Sequence, residues 1–290
     1  MSDDLFEPVP ILPPCYDFVF KRIFGENEAV FISFINSIFE RTGERKVVSI
    51  VYQNNEFPKE YLDGRSNILD VRATLDDGTQ CNVEVQVREQ TFYEARTLFH
   101  WARLYYEQIK KGQTFQDLKK TICINILDFT LFSEEDFFNH YIIVNEKSLK
   151  KAFDEFGIYF FELPKFRQNQ YTQTESHTRL ENWTSFLSDN KKENLEKLAM
   201  QEEAFQQAYE KLKYLSSDKD MQYLYHMERM KEIGIKTDLR AAEEKGIAEG
   251  EIRGKKEANL ANARKMKAKG FSIAEIMEFT ELTEEEIRAL

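Results

Sequence analysis

Glycine and proline are scarce, with eleven and six residues in a chain of 290. A chain this poor in both is neither loop-dominated nor a low-complexity disordered protein. Cysteine is scarcer still: Cys15, Cys81 and Cys123, an odd number with no CxxC pair. That argues against a disulfide framework. Two of the three sit in apolar, strand-like runs and read as small core residues. No uninterrupted apolar run approaches the roughly 20 residues that span a bilayer. The opening MSDDLFEPVPILPP is acidic and proline-rich, unlike a secretory signal. The expectation is a soluble, cytoplasmic chain in a reducing compartment, with no membrane contact.

Familiar catalytic signatures are missing too. The four histidines, His100, His140, His177 and His226, are scattered, with no HExxH. A zinc site is therefore not expected. Neither GxGxxG nor GxxxxGK[ST] occurs, which argues against a nucleotide-binding phosphate loop. GxSxG is absent as well, and with it the nucleophile elbow. Net positive charge is also lacking: the formal balance is −11. That excludes a general nucleic-acid coat protein, whose footprint is basic. Charge is nonetheless segregated. From Lys59 to Asp128, ten Lys and Arg face eleven Asp and Glu, so nearly all the negative excess lies outside this stretch. A surface facing DNA would be built here.

What the chain does have is aromatic and apolar mass: 24 Phe, 13 Tyr and 42% hydrophobic residues, ample for a packed core. The spacing predicts a short helix from Asp17, which can cap it, to Phe24, with Gly25 as its stop. Asn27 or Glu28 opens a second helix to about Glu40, with Phe31, Phe34, Ile35, Ile38 and Phe39 as its apolar stripe. KVVSIVYQNNEF reads as a strand. SNILDVRATL and TQCNVEVQVRE read as two more, joined by the turn DDG at Asp76–Gly78. TFYEARTLFHWARLYYEQIKKG reads as a helix of about 20 residues stopped by Gly112. KKTICINILDF is a strand, apolar almost throughout, and HYIIVN and GIYFFEL could extend the sheet. The order is αβββαβ, followed by a helical region.

In that region Gly246, Gly250 and Gly254 recur every four residues, stacked along one side of a helix. Each Gly weakens a helix by roughly 1 kcal/mol relative to Ala. Close helix–helix approach would justify three of them; a drifting, flexible repeat is the other reading. Two short helices close the sequence, with Ser272 and Thr283 as N-caps and Glu275 and Glu286 completing capping boxes. Their acidity argues against insertion into DNA.

One constellation carries chemistry. In CNVEVQVRE, Cys81, Val83, Val85 and Val87 share one face of a strand, and Asn82, Glu84, Gln86 and Arg88 share the other. Across the DDG turn, Ile68, Asp70 and Arg72 share a face, so antiparallel pairing can bring Asp70 near Glu84. Two adjacent carboxylates repel unless a cation or a shared proton intervenes. Mg²⁺ suits such a pair, because it takes one or two carboxylates and keeps several waters. Arg96 and Arg103 lie on one face of the next helix with Tyr106 beside the latter, and Arg65, Lys21 and Arg22 lie nearby in sequence. Such cations hold phosphate. A solvated hairpin and solvated helix faces account for the same residues without any site.

DFVFKRIFG, LDVRATLDDGTQCNVEVQ, RLYYEQIKKGQTFQDLKKTICINIL and FFELPKF, in this order, resemble the bacterial recombination-promoting nuclease/transposase family. That family lies within the PD-(D/E)XK nuclease superfamily. The resemblance covers roughly Leu12 to Leu187, and the Gly-punctuated tail is similar to the family's variable carboxy-terminal helices. It implies a restriction-endonuclease-like αβββαβ core with a central mixed sheet and a helical tail. It also implies a proline-rich leader at 1–14, a nuclease-like domain at 15–190, a helical region at 191–270 and a two-helix element at 271–290.

The implied activity is metal-dependent, low-specificity hydrolysis of DNA phosphodiesters, linked to recombination and mobile elements. By resemblance Asp70 and Glu84 hold Mg²⁺ or Mn²⁺, and Gln86 stands where the superfamily usually has Lys. Asp17 is a further candidate acid, competing with its role as a helix cap. Arg65, Arg103, Tyr106 and Lys21 are candidates for phosphate contact. A homodimer or higher oligomer through the carboxy-terminal helices is expected, since one site cuts one strand. The alternative is a catalytically weakened homologue acting as a DNA-binding or oligomeric interaction protein.

Overall fold

Buried alternation on both sides of a few strands sets the architecture. The structure is a computed structural model that describes residues 9–53, 71–168, 177–189 and 191–290. The chain divides into two units, Met1–His226 and Met227–Leu290.

The first unit is built on a six-stranded mixed sheet in the order β1-β2-β3-β4-β6-β5. β1 is Ile50–Tyr52, β2 Val71–Leu75, β3 Gln80–Gln86, β4 Thr121–Leu127, β5 Phe138–Tyr141 and β6 Phe156–Glu162. β1, β2 and β3 form an antiparallel meander, whereas β3, β4 and β6 run parallel. Parallel neighbours need a crossover, and β3 reaches β4 through α3 (Tyr93–Tyr106). β4 and β6 are buried along their whole length. Continuous burial is what central parallel strands covered on both faces require.

The two faces have different covers. α1 (Asp17–Phe24) and α2 (Glu28–Thr42) share a core with Cys81, Val83, Val85, Ile122, Ile124, Ile126, Tyr159 and Phe161. The same core takes in α4 (Leu163–Gln168), α5 (Arg179–Ser188), α6 (Lys192–Ala199) and α7 (Glu203–Ser217). Trp183 sits among Phe24, Phe34, Phe186 and Phe205, and its indole N–H donates to Ser33 at 3.1 Å. The alternate positions Cys123, Leu127, Phe156, Ile158 and Phe160 face the other way, packing with Tyr93 and Trp101 of α3.

Local chemistry explains the breaks. Asn27 caps α2 by accepting from the Val30 N–H, and Gly43 ends it at φ +74°, a conformation that needs glycine. The β2–β3 hairpin turns through Gly78 at φ +88°. Several elements depart from the sequence reading: β1 begins only at Ile50 of KVVSIVYQNNEF, and β5 ends at Tyr141 rather than running through HYIIVN. Asp17 is the first residue of α1 rather than its cap; Tyr16 holds the cap position, and the Asp17 carboxylate accepts from the Phe18 N–H at 2.8 Å. α3 stops at Tyr106, well before Gly112. Gln108 is the reason: its side chain donates to Lys119 O and Thr121 Oγ1 and accepts from Lys119 N. These bonds hold the chain against the start of β4 instead of in helix. β3 ends at Gln86, whose carbonyl accepts from Asp128 N at 2.9 Å.

α8 (Lys219–Ala268) begins in the first unit and makes up much of the second. In the second unit α9 (Ile273–Thr280) and α10 (Glu284–Arg288) place Ile276, Leu282 and Ile287 around Ala263 of α8. Both capping boxes are formed, at Ser272/Glu275 and Thr283/Glu286. An added Cβ at Gly246, Gly250 or Gly254 would meet nothing within 4 Å, so no close helix approach occurs there among the described residues.

His140 on β5 stacks on Tyr159, with ring centroids 4.2 Å apart, and its Nε2 is buried without a hydrogen bond. Burial lowers its pKa, helped by Lys120 and Lys151 and opposed by Glu44. The unfolded chain therefore takes up this proton first as pH falls. The contribution to stability is complete above the unfolded value near 6.5 and declines as pH drops below it. His140→Phe should shrink the loss of unfolding midpoint between about pH 7.5 and pH 5.5, read by thermal melts.

Candidate active site

The helix-facing side of β3 is not solvated. Asn82 and Glu84 are 4% and 5% exposed, and Gln86 is half-buried. A carboxylate this deep must be paired, because an uncompensated buried charge is strongly unfavourable. α3 supplies the partners. Arg96 Nη2 donates to Glu84 Oε1 at 2.7 Å, and His100 Nδ1 lies 3.3 Å from Oε2. Arg96 also donates through Nη1 to Gln90 and sits 5.9 Å from the centre of the Tyr93 ring. The Gln86 side chain has no hydrogen-bond partner among the described residues.

α3 faces the sheet in the phase that does this because it is bolted to β4. Asn125, in register with Glu84, is buried in an otherwise apolar strand. Its carbonyl oxygen accepts from the Tyr93 and Thr97 hydroxyls, both at 3.2 Å, and its amide donates to Tyr159 O. At the other end Trp101 Nε1 donates to Thr121 O at 2.8 Å. Tyr93, Thr97, His100, Trp101 and Leu104 recur at helical spacing, so the face that docks on β4 also carries His100 to Glu84.

The remaining candidates are distributed. Asp70 and Arg65 lie outside the described residues. The described β2–β3 ladder ends at Val71↔Val83. Arg72 is on the α3 face, with Nε donating to Asn82 at 3.3 Å and Nη1 3.8 Å from Glu107. Lys21 is 3% exposed in α1, the helix on the opposite side of the sheet, as is Asp17 at that helix's start. Arg103 pairs with Glu107 at 2.6 Å near the end of α3, and Tyr106 beyond it is 81% exposed. An open cleft of about 420 Å³ lies farther along the α3 face, lined in part by Arg72, Gln80, Leu104, Glu107, Lys110 and Lys119. The sequence reading missed His100 and Asn125. The second had a signal, a lone amide inside TICINIL; the first had none beyond its i+4 spacing from Arg96.

Donor chemistry at Glu84 fits a divalent cation. One carboxylate oxygen is taken by a guanidinium, while the other faces a buried imidazole nitrogen with no hydrogen bond between them. No group of three or more Asp, Glu, His or Cys that could hold a metal occurs among the described residues.

A family model described as PD-(D/E)XK nuclease family transposase matches residues 14–242. The chain belongs to that family. The mixed sheet and helical carboxy-terminal region agree with the PD-(D/E)XK fold. Membership suggests a nuclease-like function and implies DNA as partner. No curated protein and no solved structure matches the chain. Among the described residues no helix is long and apolar enough to cross a membrane.

Asn125→Leu keeps the strand's shape but strips the shared acceptor from two hydroxyls. Urea unfolding should show a loss of about 1–3 kcal/mol. An unchanged midpoint would mean that the Asn125 contacts do not hold α3 in place.

Proposed function

We propose that this PD-(D/E)XK protein is a metal-dependent DNA endonuclease of low sequence specificity, acting in recombination or mobile-element biology. The observation that carries this reading is Glu84, a buried carboxylate on a central strand, beside the end of the β2 ladder and ringed by α3 side chains. Asp70 and Glu84 would hold Mg²⁺ or Mn²⁺. Bound there, the cation would supply positive charge to the phosphate and make a nearby water more acidic.

The chain's own residues do the rest. Gln86, with its amide uncommitted among the described residues, hydrogen-bonds the attacking water. That water's oxygen forms the new bond to phosphorus as the bond to one sugar oxygen breaks; its proton passes to solvent, and the departing oxygen is protonated. Gln adds no charge where Lys would, so Arg96, held by Glu84 and Gln90, provides the fixed cation closest to Glu84 on this face. Arg103 and Tyr106 are exposed and serve as outer phosphate contacts, joined by Arg72, Lys110 and Lys119 along the cleft. Arg65 is assigned to the same work. Lys21 is buried on the other side of the sheet, and Asp17 serves the start of α1.

Plasmid nicking in Mg²⁺ or Mn²⁺ tests this. Asp70→Ala and Glu84→Gln should each lower the rate by about a hundredfold or more, the scale on which an aligned charge-stabilising group matters. Equal cutting by wild type and both variants would sink the assignment. DNA affinity should fall steeply with salt, as phosphate-dominated binding requires.

Self-association through α8 supports cutting of both strands: its exposed Met230, Ile233, Leu239, Ile247 and Ile252 and the open Gly246–Gly254 stripe are available to a second copy. Sedimentation at micromolar concentration should give a dimer or larger species; a monomer refutes it.

A further inference from the structure

His100 stands apart from the ion pairs around it. Its Nδ1 is buried and makes no hydrogen bond, although Glu84 Oε2 is only 3.3 Å away. In the tautomer with the proton on Nε2, Nδ1 is a bare lone pair aimed near a carboxylate oxygen. Two electron-rich atoms do not share a buried corner unaided: a proton on Nδ1 or a bound cation must lie between them, and the geometry makes no hydrogen bond. Arg96 does not relieve the contact, because its guanidinium is committed to Oε1 and to Gln90. Nor is the ring carried on a loose segment: α3 is fixed on either side of it, by Tyr93 and Thr97 on Asn125 and by Trp101 on Thr121.

We propose that His100 is a protein ligand to the cation at Glu84, making this a mixed nitrogen–oxygen site that prefers a first-row transition ion such as Mn²⁺ or Co²⁺ to Mg²⁺. The proposal rests on the reading of Glu84 as a cation-binding carboxylate. Two donors each about 2.0–2.2 Å from one ion, at angles between octahedral and tetrahedral, stand roughly 3.0–3.4 Å apart. The Nδ1–Oε2 separation falls within that window. Imidazole nitrogen then decides the ion. Mg²⁺ takes oxygen donors and keeps its waters, whereas affinity for nitrogen-containing sites rises along the first row from Mn²⁺. The Lys that Gln86 replaces is thus not the only departure from an all-oxygen, lysine-assisted centre.

The test uses the full chain in four forms: wild type, His100→Phe, His100→Gln and Glu84→Gln. Mn²⁺ and Mg²⁺ are titrated calorimetrically, and bound Mn²⁺ is examined by spin-echo electron paramagnetic resonance for modulation from directly bonded ¹⁴N. His100→Phe and His100→Gln should weaken Mn²⁺ by about 10- to 100-fold, leave Mg²⁺ within about twofold, and erase the nitrogen modulation. Thermal melts of both variants check that the fold is retained. Absent nitrogen modulation in the wild type overturns the proposal. So does equal Mn²⁺ affinity in either folded His100 variant, and if Glu84→Gln still loses the ion, the Glu84 reading stands without His100. If Glu84→Gln binds Mn²⁺ as wild type does, or wild type binds neither ion, the underlying reading falls and this proposal falls with it.

Discussion

A carboxylate inside a sheet face is the constraint around which this half of the molecule is arranged. Glu84 occupies a position where the strand is covered on both sides, and it is almost without solvent. An isolated charge there would be intolerable, so α3 must arrive with a cation, and it must arrive in one rotational phase. That phase is set by the neutral hydrogen bonds of Asn125 with Tyr93 and Thr97 and by Trp101 on Thr121, not by the ion pair itself. The division is physically sensible. Hydrogen bonds between neutral groups fix the helix, and the helix so fixed delivers the Arg96 guanidinium to Glu84.

The same anchoring explains why α3 is short. Its crossover must deliver the chain to the beginning of β4, parallel to β3. Gln108 clamps Lys119 and Thr121, so the basic residues Lys110 and Lys111 leave the helix and Lys110 comes to line the polar cleft with Lys119. Lys110, which a continuous helix would have carried on around its circumference, is instead placed in the cleft on the α3 side of the sheet.

Much of this was legible in the chain. Alternation in CNVEVQVRE, the DDG turn and the apolar run TICINIL were enough for the αβββαβ order, because each depends on contacts between near neighbours in sequence. The capping boxes at Ser272 and Thr283 were legible for the same reason. What escaped depended on distant contacts. The early end of α3 follows from Gln108 meeting residues of β4; the burial of Lys21 follows from packing of α1 on the sheet; and His100 meets Glu84 only once Asn125 has set the helix phase. The pairing of Glu84 with Asp70 was read from the hairpin; the described ladder ends at Val71↔Val83, and Asp70 lies outside the described residues.

Gln86 gains a different meaning in this setting. Read in the strand alone, a missing Lys looks like decay. In the fold, Gln86 is neighboured by Glu84, which pairs with a guanidinium and has an imidazole nitrogen 3.3 Å from its other oxygen. A lysine ammonium added beside them would compete for the carboxylate that already pairs with Arg96. A neutral amide avoids that competition while still offering one donor and one acceptor to a water. Decay would also leave no reason to keep an unpaired imidazole nitrogen buried against a carboxylate oxygen, since an apolar ring at position 100 would relieve it. On the proposed reading, the neutral residue at 86 and the unsatisfied nitrogen at 100 belong to one arrangement, with positive charge beside Glu84 supplied by Arg96 rather than by a lysine at 86.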